Sequence, residues 1–233
     1  MALRSHAEAM EAAMAALVRT SERNSDHTAP CGTVRITASE IIGVSVLPAM
    51  LNDIRLRYPD IIFELVLNNR SDDLLRRSAD IAVRMVRPTQ QGLHARKVGE
   101  VALQFFAHRR YLERFGLPTT LQSLSKAHLI GFDRDDFSAR SVVAGELSIS
   151  RDLFAFRCDS DLGQQAAIHA GLGIGVLQTA IARRHGELVP VLADQIQFKL
   201  DVWLVIHEDQ RSQPAIRAVF ESLAAGLVAF TQT

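Results

Sequence analysis

Residues 61–67 read Ile-Ile-Phe-Glu-Leu-Val-Leu (IIFELVL), an apolar run with one interruption. Nearly continuous apolar strands are typical of parallel sheets, because helices cover both faces of such a strand. Upstream, residues 33–38 alternate polar and apolar as a strand does, and an amphipathic helix over residues 47–58 follows. Downstream, the pattern predicts a short helix at 72–77 and a further buried strand at 81–83. This order predicts a parallel sheet with right-handed crossovers.

The order of helices and strands starts again after residue 98, without a clear linker. Two α/β lobes joined by two crossing strands, near 98–103 and 201–205, would account for this pattern. The predicted elements of the second part are strands at 98–107, 128–132, 174–177 and 201–207, a hairpin of 146–150 with 153–157, and helices at 111–115, 121–124, about 161–170, 181–185 and 216–230.

An N-terminal helix is predicted over residues 1–20, followed by a polar, turn-rich linker at 21–32. Its apolar residues repeat at heptad spacing, which places them in a narrow seam. A helix of this length is marginal by itself in water, so the seam must pack on the same chain or on a partner copy. Both alternatives remain open at this point. The seam residues are Leu3, Ala7, Met10, Met14 and Leu17.

The composition is that of an ordinary globular protein, with 48% hydrophobic residues among 233 and equal numbers of basic and acidic residues, 26 each. This balance gives no indication of a basic surface for duplex DNA. Cys31 and Cys158 are far apart, which predicts reduced thiols and neither a disulfide framework nor a metal site. Glu8 and Glu11 interrupt the N-terminal apolar stretch, so no signal peptide is expected, and no apolar run is expected to reach membrane length. These features predict a cytoplasmic location.

Known catalytic and cofactor motifs are missing from the sequence. The eight histidines show no zinc-protease spacing, and neither a serine nucleophile elbow nor a phosphate-binding loop is present. Gly171, Gly173 and Gly175 resemble a nucleotide-binding loop, but they follow a helix and precede a strand, which is the reverse order. We expect Gly171 to end the helix and the other two to allow close backbone packing. No catalytic residue, cofactor or metal ligand is therefore predicted.

Polar residues recur where the predicted strands end and helices begin. Ligands of parallel sheets bind beyond these carboxyl ends, where helix N-termini favour anions. Each group alone is better explained as a helix cap than as a ligand contact. Their recurrence predicts a ligand-binding cleft between the lobes. The residues are Thr37, Ser39, Glu40, Asn68, Asn69, Arg70, Arg84, Asp159, Ser160 and Asp161.

A set of short motifs, in the right order and spacing over residues 32–232, resembles the regulatory domain of LysR-type transcription regulators. Each motif is weak alone, whereas the set is specific. The motifs are GTVRIT at 32–37, VLP at 46–48, RYPD at 57–60, ADIAVR at 79–84, AGLGIGVL at 170–177 and VWLV at 202–205.

The resemblance implies an α/β fold of two Rossmann-like lobes of the periplasmic-binding-protein type, joined by two crossing strands. Lobe 1 would comprise residues 32–100 plus 206–233, and lobe 2 residues 101–205. Residues 1–31 would be the linker helix and linker that follow a winged helix-turn-helix. The chain would then bind a small-molecule effector and form a homodimer or tetramer. Contact with DNA would occur only through the winged helix-turn-helix, which we expect to be absent from this chain.

The family's effector contacts are carried over to single positions of this chain. Two departures from the family pattern bear on the effector: Asp159 stands where relatives often have Asn, and Glu40 adds a carboxylate that would partly neutralise Arg84. Gln178 replaces the usual proline after the glycine-rich strand. The implied effector-binding residues are Thr37, Ser39, Glu40, Asn69, Arg84, Phe132 and Asp159.

The resemblance also implies a mechanism, in which a bound effector shifts the population between two lobe or dimer arrangements. Two other functions would fit the same architecture. A solute-binding protein of a transporter would require export. A small two-lobe enzyme would require an acid–base pair, for which Glu40 and Asp159 are the candidates.

Overall fold

A computed structural model describes residues 2–23, 29–69, 79–133, 143–144, 147–148 and 151–232. By their internal contacts, the residues fall into two compact units. Unit 1 comprises Met1–Glu100 and Asp201–Thr233, and unit 2 comprises Val101–Leu200. The chain enters unit 2 within one long strand and returns within another, which confirms the prediction of two crossing strands.

The described elements follow one another in an α/β order. They are α1 (Ala2–Arg23), β1 (Gly32–Ala38), α2 (Glu40–Ser45), α3 (Leu47–Arg57), β2 (Ile61–Leu67), β3 (Ile81–Arg84), β4 (Leu93–His108), α4 (Arg109–Phe115), α5 (Leu121–Ser125), β5 (Leu129–Gly131), β6 (Val143–Ala144), β7 (Leu147–Ser148), β8 (Phe154–Arg157), α6 (Asp161–His169), β9 (Ile174–Gln178), α7 (Thr179–Ala182), β10 (Leu188–Val191), β11 (Phe198–His207) and α8 (Pro214–Thr231).

The sheet of unit 1 has the strand order β2-β1-β3-β11. Strand β1 runs parallel to both neighbours, with Ile36 opposite Leu65 on β2 and opposite Ile81 on β3. The parallel sheet predicted from the apolar strands is therefore confirmed, and β11 closes it antiparallel to β3. The predicted helix at 72–77 lies outside the described residues.

Helix α8 supplies much of the core of unit 1, and it contacts α3 and β1. Its apolar stripe is buried, including Ile216, Val219, Leu223 and Leu227. By length and composition this helix could also span a membrane, with a mean hydropathy of 1.3. The expectation that no apolar run reaches membrane length is therefore wrong for Pro214–Thr231. A buried core helix meets the same criterion.

A buried carboxylate joins four parts of unit 1. Asp80, 2% exposed, precedes β3 and accepts hydrogen bonds from the backbone N–H of Arg35 (2.8 Å) and from Nε2 of Gln210 (3.2 Å). Nε of Arg19, on α1, lies 3.5 Å from Oδ2 of Asp80, and Glu64 on β2 pairs with Nη1 of Arg35 at 2.8 Å. Removing one partner of a buried pair typically costs about 3–5 kcal/mol, so this network fixes the end of α1 to the sheet.

Helix α1 is confirmed, and it extends three residues beyond the predicted range of 1–20. Its last turns reach the sheet through Arg19, which is 5% exposed. The seam residues Met10, Met14 and Leu17 are 71%, 63% and 66% exposed. Within the described part of the chain, the seam is therefore uncovered, which argues against packing on the same chain.

The sheet of unit 2 is mixed. β5 runs parallel to β8 and β9, whereas β4 pairs antiparallel with β9 and β10. The predicted hairpin of 146–150 with 153–157 is wrong, because β7 pairs with β6 and β8 pairs with β5. β10 was not predicted. It is short and contains Pro190, a residue that strands tolerate mainly at edges.

The glycines after α6 have the roles expected from the sequence. Gly171 adopts φ +71°, and its N–H donates to the carbonyl of Ile168 at 2.9 Å, which ends the helix. A Cβ at Gly173 would collide with the carbonyl oxygen of His128 and lie 3.2 Å from Ile130. The close approach of β9 to β5 therefore requires glycine at position 173.

Replacing Gly173 with alanine should destabilise unit 2 by about 1–3 kcal/mol, because the backbone of His128 cannot move aside as a side chain can. Gly186→Ala is the matched control, since a Cβ there would meet nothing within 4 Å. Urea unfolding of both variants measures the difference. Equal midpoints for the two variants would contradict the packing argument.

Candidate functional site

The carboxyl ends of β1 and β3 hold a buried cation. Arg84, 6% exposed, ends β3, and its Nη2 donates to Oγ1 of Thr37 at 2.8 Å, while its Nη1 donates to the carbonyl of Val83 at 3.1 Å. Thr37 is fully buried and pairs with Ala82, which places its side chain on the same face as Arg84. The structure thus brings together two of the residues predicted to bind effector.

Ser39 follows β1 and is 9% exposed. It occupies the N-cap position of α2 but makes no side-chain capping bond, and its Oγ has no hydrogen-bond partner among the described residues. A buried hydroxyl without a partner typically costs about 1–3 kcal/mol. Folding alone gives no reason to keep this hydroxyl, so an external partner is the better explanation.

Asn69 and Glu40 are linked at the start of α2. Oδ1 of Asn69 accepts the backbone N–H of Glu40 at 3.1 Å, and the N–H of Asn68 donates to the carbonyl of Ala38 at 2.9 Å. Asn69 thereby connects the end of β2 to the end of β1. Because Oδ1 of Asn69 already binds the backbone next to Ser39, we expect Asn69 to position this backbone in addition to its predicted contact with the effector.

Trp203 is a further residue of this site. In the sequence it stands out only as part of the VWLV motif at 202–205. On β11 it pairs directly with Arg84, and Arg87 lies over its ring at 5.4 Å. Its Nε1 is buried and has no hydrogen-bond partner among the described residues. From the sequence alone, a tryptophan inside an apolar strand is interpreted as a core residue. Only its pairing with Arg84 in the structure shows that its Nε1 is a hydrogen-bond donor at this site.

In unit 2, Phe132 and Asp159 follow the neighbouring parallel strands β5 and β8, so both lie at the carboxyl edge of that sheet. Oδ1 of Asp159 accepts the backbone N–H of Asp133 at 3.0 Å. Arg151 pairs with the carboxylate of Asp133 at 2.5 Å. Ser160 caps α6 by accepting the N–H of Gly163 at 3.3 Å. Asp159 is exposed, and its hydrogen bond with Asp133 shapes the loop after β5.

Two further polar residues lie at the same edge of unit 2. Gln178 ends β9, which runs parallel to β5, and Thr179 begins α7. They are 8% and 7% exposed, and Gln178 Oε1 and Thr179 Oγ1 have no hydrogen-bond partner among the described residues. In the sequence, Gln178 stands out only as a replacement for the usual proline. The signal for a site residue was therefore a polar side chain in the place of a buried apolar one.

A cluster of possible metal ligands lies elsewhere in unit 2. His169, His185 and Glu187 each offer a ligand atom, and these atoms lie within 4.8 Å of one another. His169 ends α6, whereas Ser160 and Asp159 precede its first turn. The cluster is therefore separate from the polar edge of this unit.

The polar edges can accept and donate hydrogen bonds, but they lack an activated nucleophile in the described part of the chain. A catalytic serine needs a base within hydrogen-bond reach, and the Oγ of Ser39 has none there. Buried donors with one guanidinium can hold a small polar molecule through hydrogen bonds.

Comparison with known proteins shows the family of this chain. The family model of the LysR substrate binding domain matches residues 27–227. The probable regulator LtrA of Klebsiella pneumoniae is 25% identical over 94% of this chain and 73% of its own length. The regulator CrgA of Neisseria meningitidis is 24% identical over 74% of this chain and 59% of its own length. A regulator of Xanthomonas campestris is 34% identical, over 38% of this chain and 26% of its own length.

Solved structures show the same fold. The regulatory domain of CrgA from Neisseria meningitidis superposes with a TM-score of 0.78 at 22% identity, covering 85% of this chain and all of that one. Full-length AphB of Vibrio cholerae gives 0.72 at 24% identity, covering 91% of this chain and 74% of AphB. This chain spans 26% and 59% of the Xanthomonas and CrgA relatives. It belongs to the LysR substrate-binding domain family and has the α/β fold of an effector-sensing regulatory domain of a transcription regulator.

Proposed function

We propose that this chain binds a small metabolite at the carboxyl edge of the unit 1 sheet. The observation that carries the proposal is the buried hydroxyl of Ser39, which has no hydrogen-bond partner among the described residues. The pairing of Ala38 with Val83 places Ser39 beside Arg84 at the ends of the two strands. A ligand that accepts hydrogen bonds from both Ser39 and Arg84 would give the hydroxyl of Ser39 a partner without any change in the fold.

The side chains define the chemistry of the metabolite. Arg84 and Ser39 favour an acceptor such as a carboxylate, which a guanidinium binds through paired hydrogen bonds. Glu40 is half-buried at the same edge and favours a donor, such as an amino or hydroxyl group. The proposed effector is therefore a small carboxylic acid with a second polar group.

A second set of ligand contacts is proposed at the carboxyl edge of the unit 2 sheet. Phe132 offers an apolar surface, and Asp159 offers a carboxylate at the end of β8. Gln178 and Thr179 join them as candidates, because their buried oxygens have no partner among the described residues. We propose no turnover, because the hydroxyl of Ser39 has no base within hydrogen-bond reach among the described residues.

Strand β3 is the proposed route from effector to α1. Arg84 ends this four-residue strand and Asp80 precedes it, a separation of about 13 Å at the usual rise per residue. Asp80 faces Arg19 of α1. A ligand that binds one arrangement of β3 better than another would shift the population of α1 positions by that difference in affinity.

Self-association is proposed to use the exposed seam of α1. Met10, Met14 and Leu17 repeat at heptad spacing and are more than half exposed, as in a helix that pairs with a second copy. In the complete regulator, a homodimer or tetramer would present winged helix-turn-helix heads to DNA. The proposed location is the cytoplasm, where DNA and metabolites meet, and no membrane partner is proposed.

A thermal-shift screen against aromatic and central carboxylic acids tests effector binding. A ligand that binds the folded state raises Tm by mass action. Ser39→Ala should abolish the ligand-induced shift while leaving the Tm of the free chain unchanged or raised, because the lost hydroxyl has no partner in the described fold. Ser125→Ala is the control, since its hydroxyl donates to the carbonyl of Gln122 within α5 of unit 2.

Arg84→Lys extends this test, since it keeps the charge but removes the planar pair of donors. It should weaken binding by about tenfold or more, equivalent to about 1.4 kcal/mol. An unchanged ligand shift in both Ser39→Ala and Arg84→Lys would contradict the proposed site. So would a loss of free-chain stability in Ser39→Ala alone, which would assign the hydroxyl a structural role.

The double variant Met14→Glu/Leu17→Glu should dissociate the chain, or weaken its association at least tenfold, because like charges would face one another across a paired seam. Ala15→Glu adds a charge to the same helix but outside the seam and should leave association unchanged. Sedimentation equilibrium measures both. Identical masses for the double variant and the parent chain would rule out pairing through this face.

A further inference from the structure

One side chain from the end of α6, His169, and two from the turn between α7 and β10, His185 and Glu187, form what we call the histidine cluster. The two rings meet edge to face with centroids 4.5 Å apart, and Nδ1 of His169 lies 3.9 Å from Oε1 of Glu187. All three ligand atoms lie within 4.8 Å of one another. The proposed effector site uses none of these residues.

The backbone holds each member of the histidine cluster in place. His169 is the last residue of α6. The N–H of His185 donates to the carbonyl of Ala182 at 3.0 Å, and the carbonyl of Glu187 accepts the N–H of Arg109 at 2.9 Å. Glu187 then leads directly into β10. The convergence therefore belongs to the folded framework and is not an accident of one loose segment.

A carboxylate lies beside the two imidazoles and supplies negative charge for a cation. Oε1 of Glu187 is 3.9 Å from Nδ1 of His169. Burial lowers the pKa of His169 below its usual range, and the neighbouring His185 and His108 lower it further, while Glu187 opposes them.

We infer that the histidine cluster binds one divalent transition-metal ion of the zinc class, with His169, His185 and Glu187 as its protein ligands. Two imidazoles and one carboxylate form a common three-ligand zinc set, which leaves a fourth position open. Zinc bonds of about 2.0–2.1 Å place ligand atoms about 3.3 Å apart, so the cluster must contract by about 1.5 Å at most. Glu187, with 47% of its side chain exposed, has room to make this movement.

The surface beside Glu187 carries a depression of about 480 Å³. His108, Arg109, Arg110, Glu113 and Gly186 line it together with Glu187. Nδ1 of His108 already accepts the backbone N–H of Arg110 at 3.1 Å, so His108 acts as a helix cap and is not counted as a ligand. Mg²⁺ and Ca²⁺ prefer all-oxygen sites and should bind poorly to this nitrogen-rich set.

Calorimetric titration of the untagged, chelator-treated chain tests this inference. ZnCl₂ should bind saturably with one ion per chain, and MgCl₂ should not. His169→Gln, His185→Gln and Glu187→Gln should each weaken zinc binding by about tenfold or more, as expected when a ligand is lost. His207→Gln is the control, because its Nδ1 contacts Asp209, outside the cluster.

Cobalt substitution supplies a second readout. Co²⁺ bound to two imidazoles and a carboxylate in four-coordinate geometry absorbs visible light strongly, and the two histidine variants should lose this band. Circular dichroism of the metal-free variants checks that they remain folded. Ser39→Ala and Arg84→Lys should bind zinc normally, so the metal site and the effector site can succeed or fail independently.

Two results would overturn the inference. One is the absence of saturable zinc binding at one ion per chain by the folded parent protein. The other is zinc affinity that is unchanged in His169→Gln and His185→Gln, which would place the ion elsewhere on the surface. Loss of binding in the cluster variants together with retention in His207→Gln is the expected outcome.

Discussion

The buried carboxylate of Asp80 is the constraint on which unit 1 depends. A carboxylate 2% exposed must be paired, and Asp80 is satisfied by β1 through the N–H of Arg35, by Gln210 before α8 and by Arg19 of α1. Asp80 also directly precedes β3, the strand that ends at Arg84. One charge thus links the N-terminal helix, β1 and the segment before α8 to the start of β3.

The polar edges differ from this network in position. The Asp80 carboxylate is paired, although Nε of Arg19 and Oε1 of Gln210 have no hydrogen-bond partner among the described residues. Ser39 in unit 1 and Gln178 and Thr179 in unit 2 bury oxygens that make no hydrogen bond to described residues, at positions where parallel strands end. Folded proteins rarely keep such groups without a use. The unsatisfied atoms therefore favour ligand recognition in a domain whose relatives regulate transcription.

Periodicity and motif order predicted most of the fold, because apolar strands and amphipathic helices report burial directly. β10 escaped prediction since Pro190 obscured a short edge strand, and the hairpin of 146–150 with 153–157 failed because strand pairing is set by contacts distant in sequence. The polar site residues were named from their places at strand ends and again through family resemblance, which added Phe132, but their partners were not. Neither the register of Trp203 with Arg84 nor the convergence of His169 with His185 can be read from spacing.

The most direct test of the account is amide hydrogen exchange of α1 with and without a saturating effector. If binding at Arg84 reaches α1 through β3, Asp80 and Arg19, exchange in residues 2–23 should change on binding in the parent chain. The change should be absent in Asp80→Asn at full occupancy. Unaltered exchange in α1 of the parent chain, with effector bound at Ser39 and Arg84, would contradict the proposed transmission.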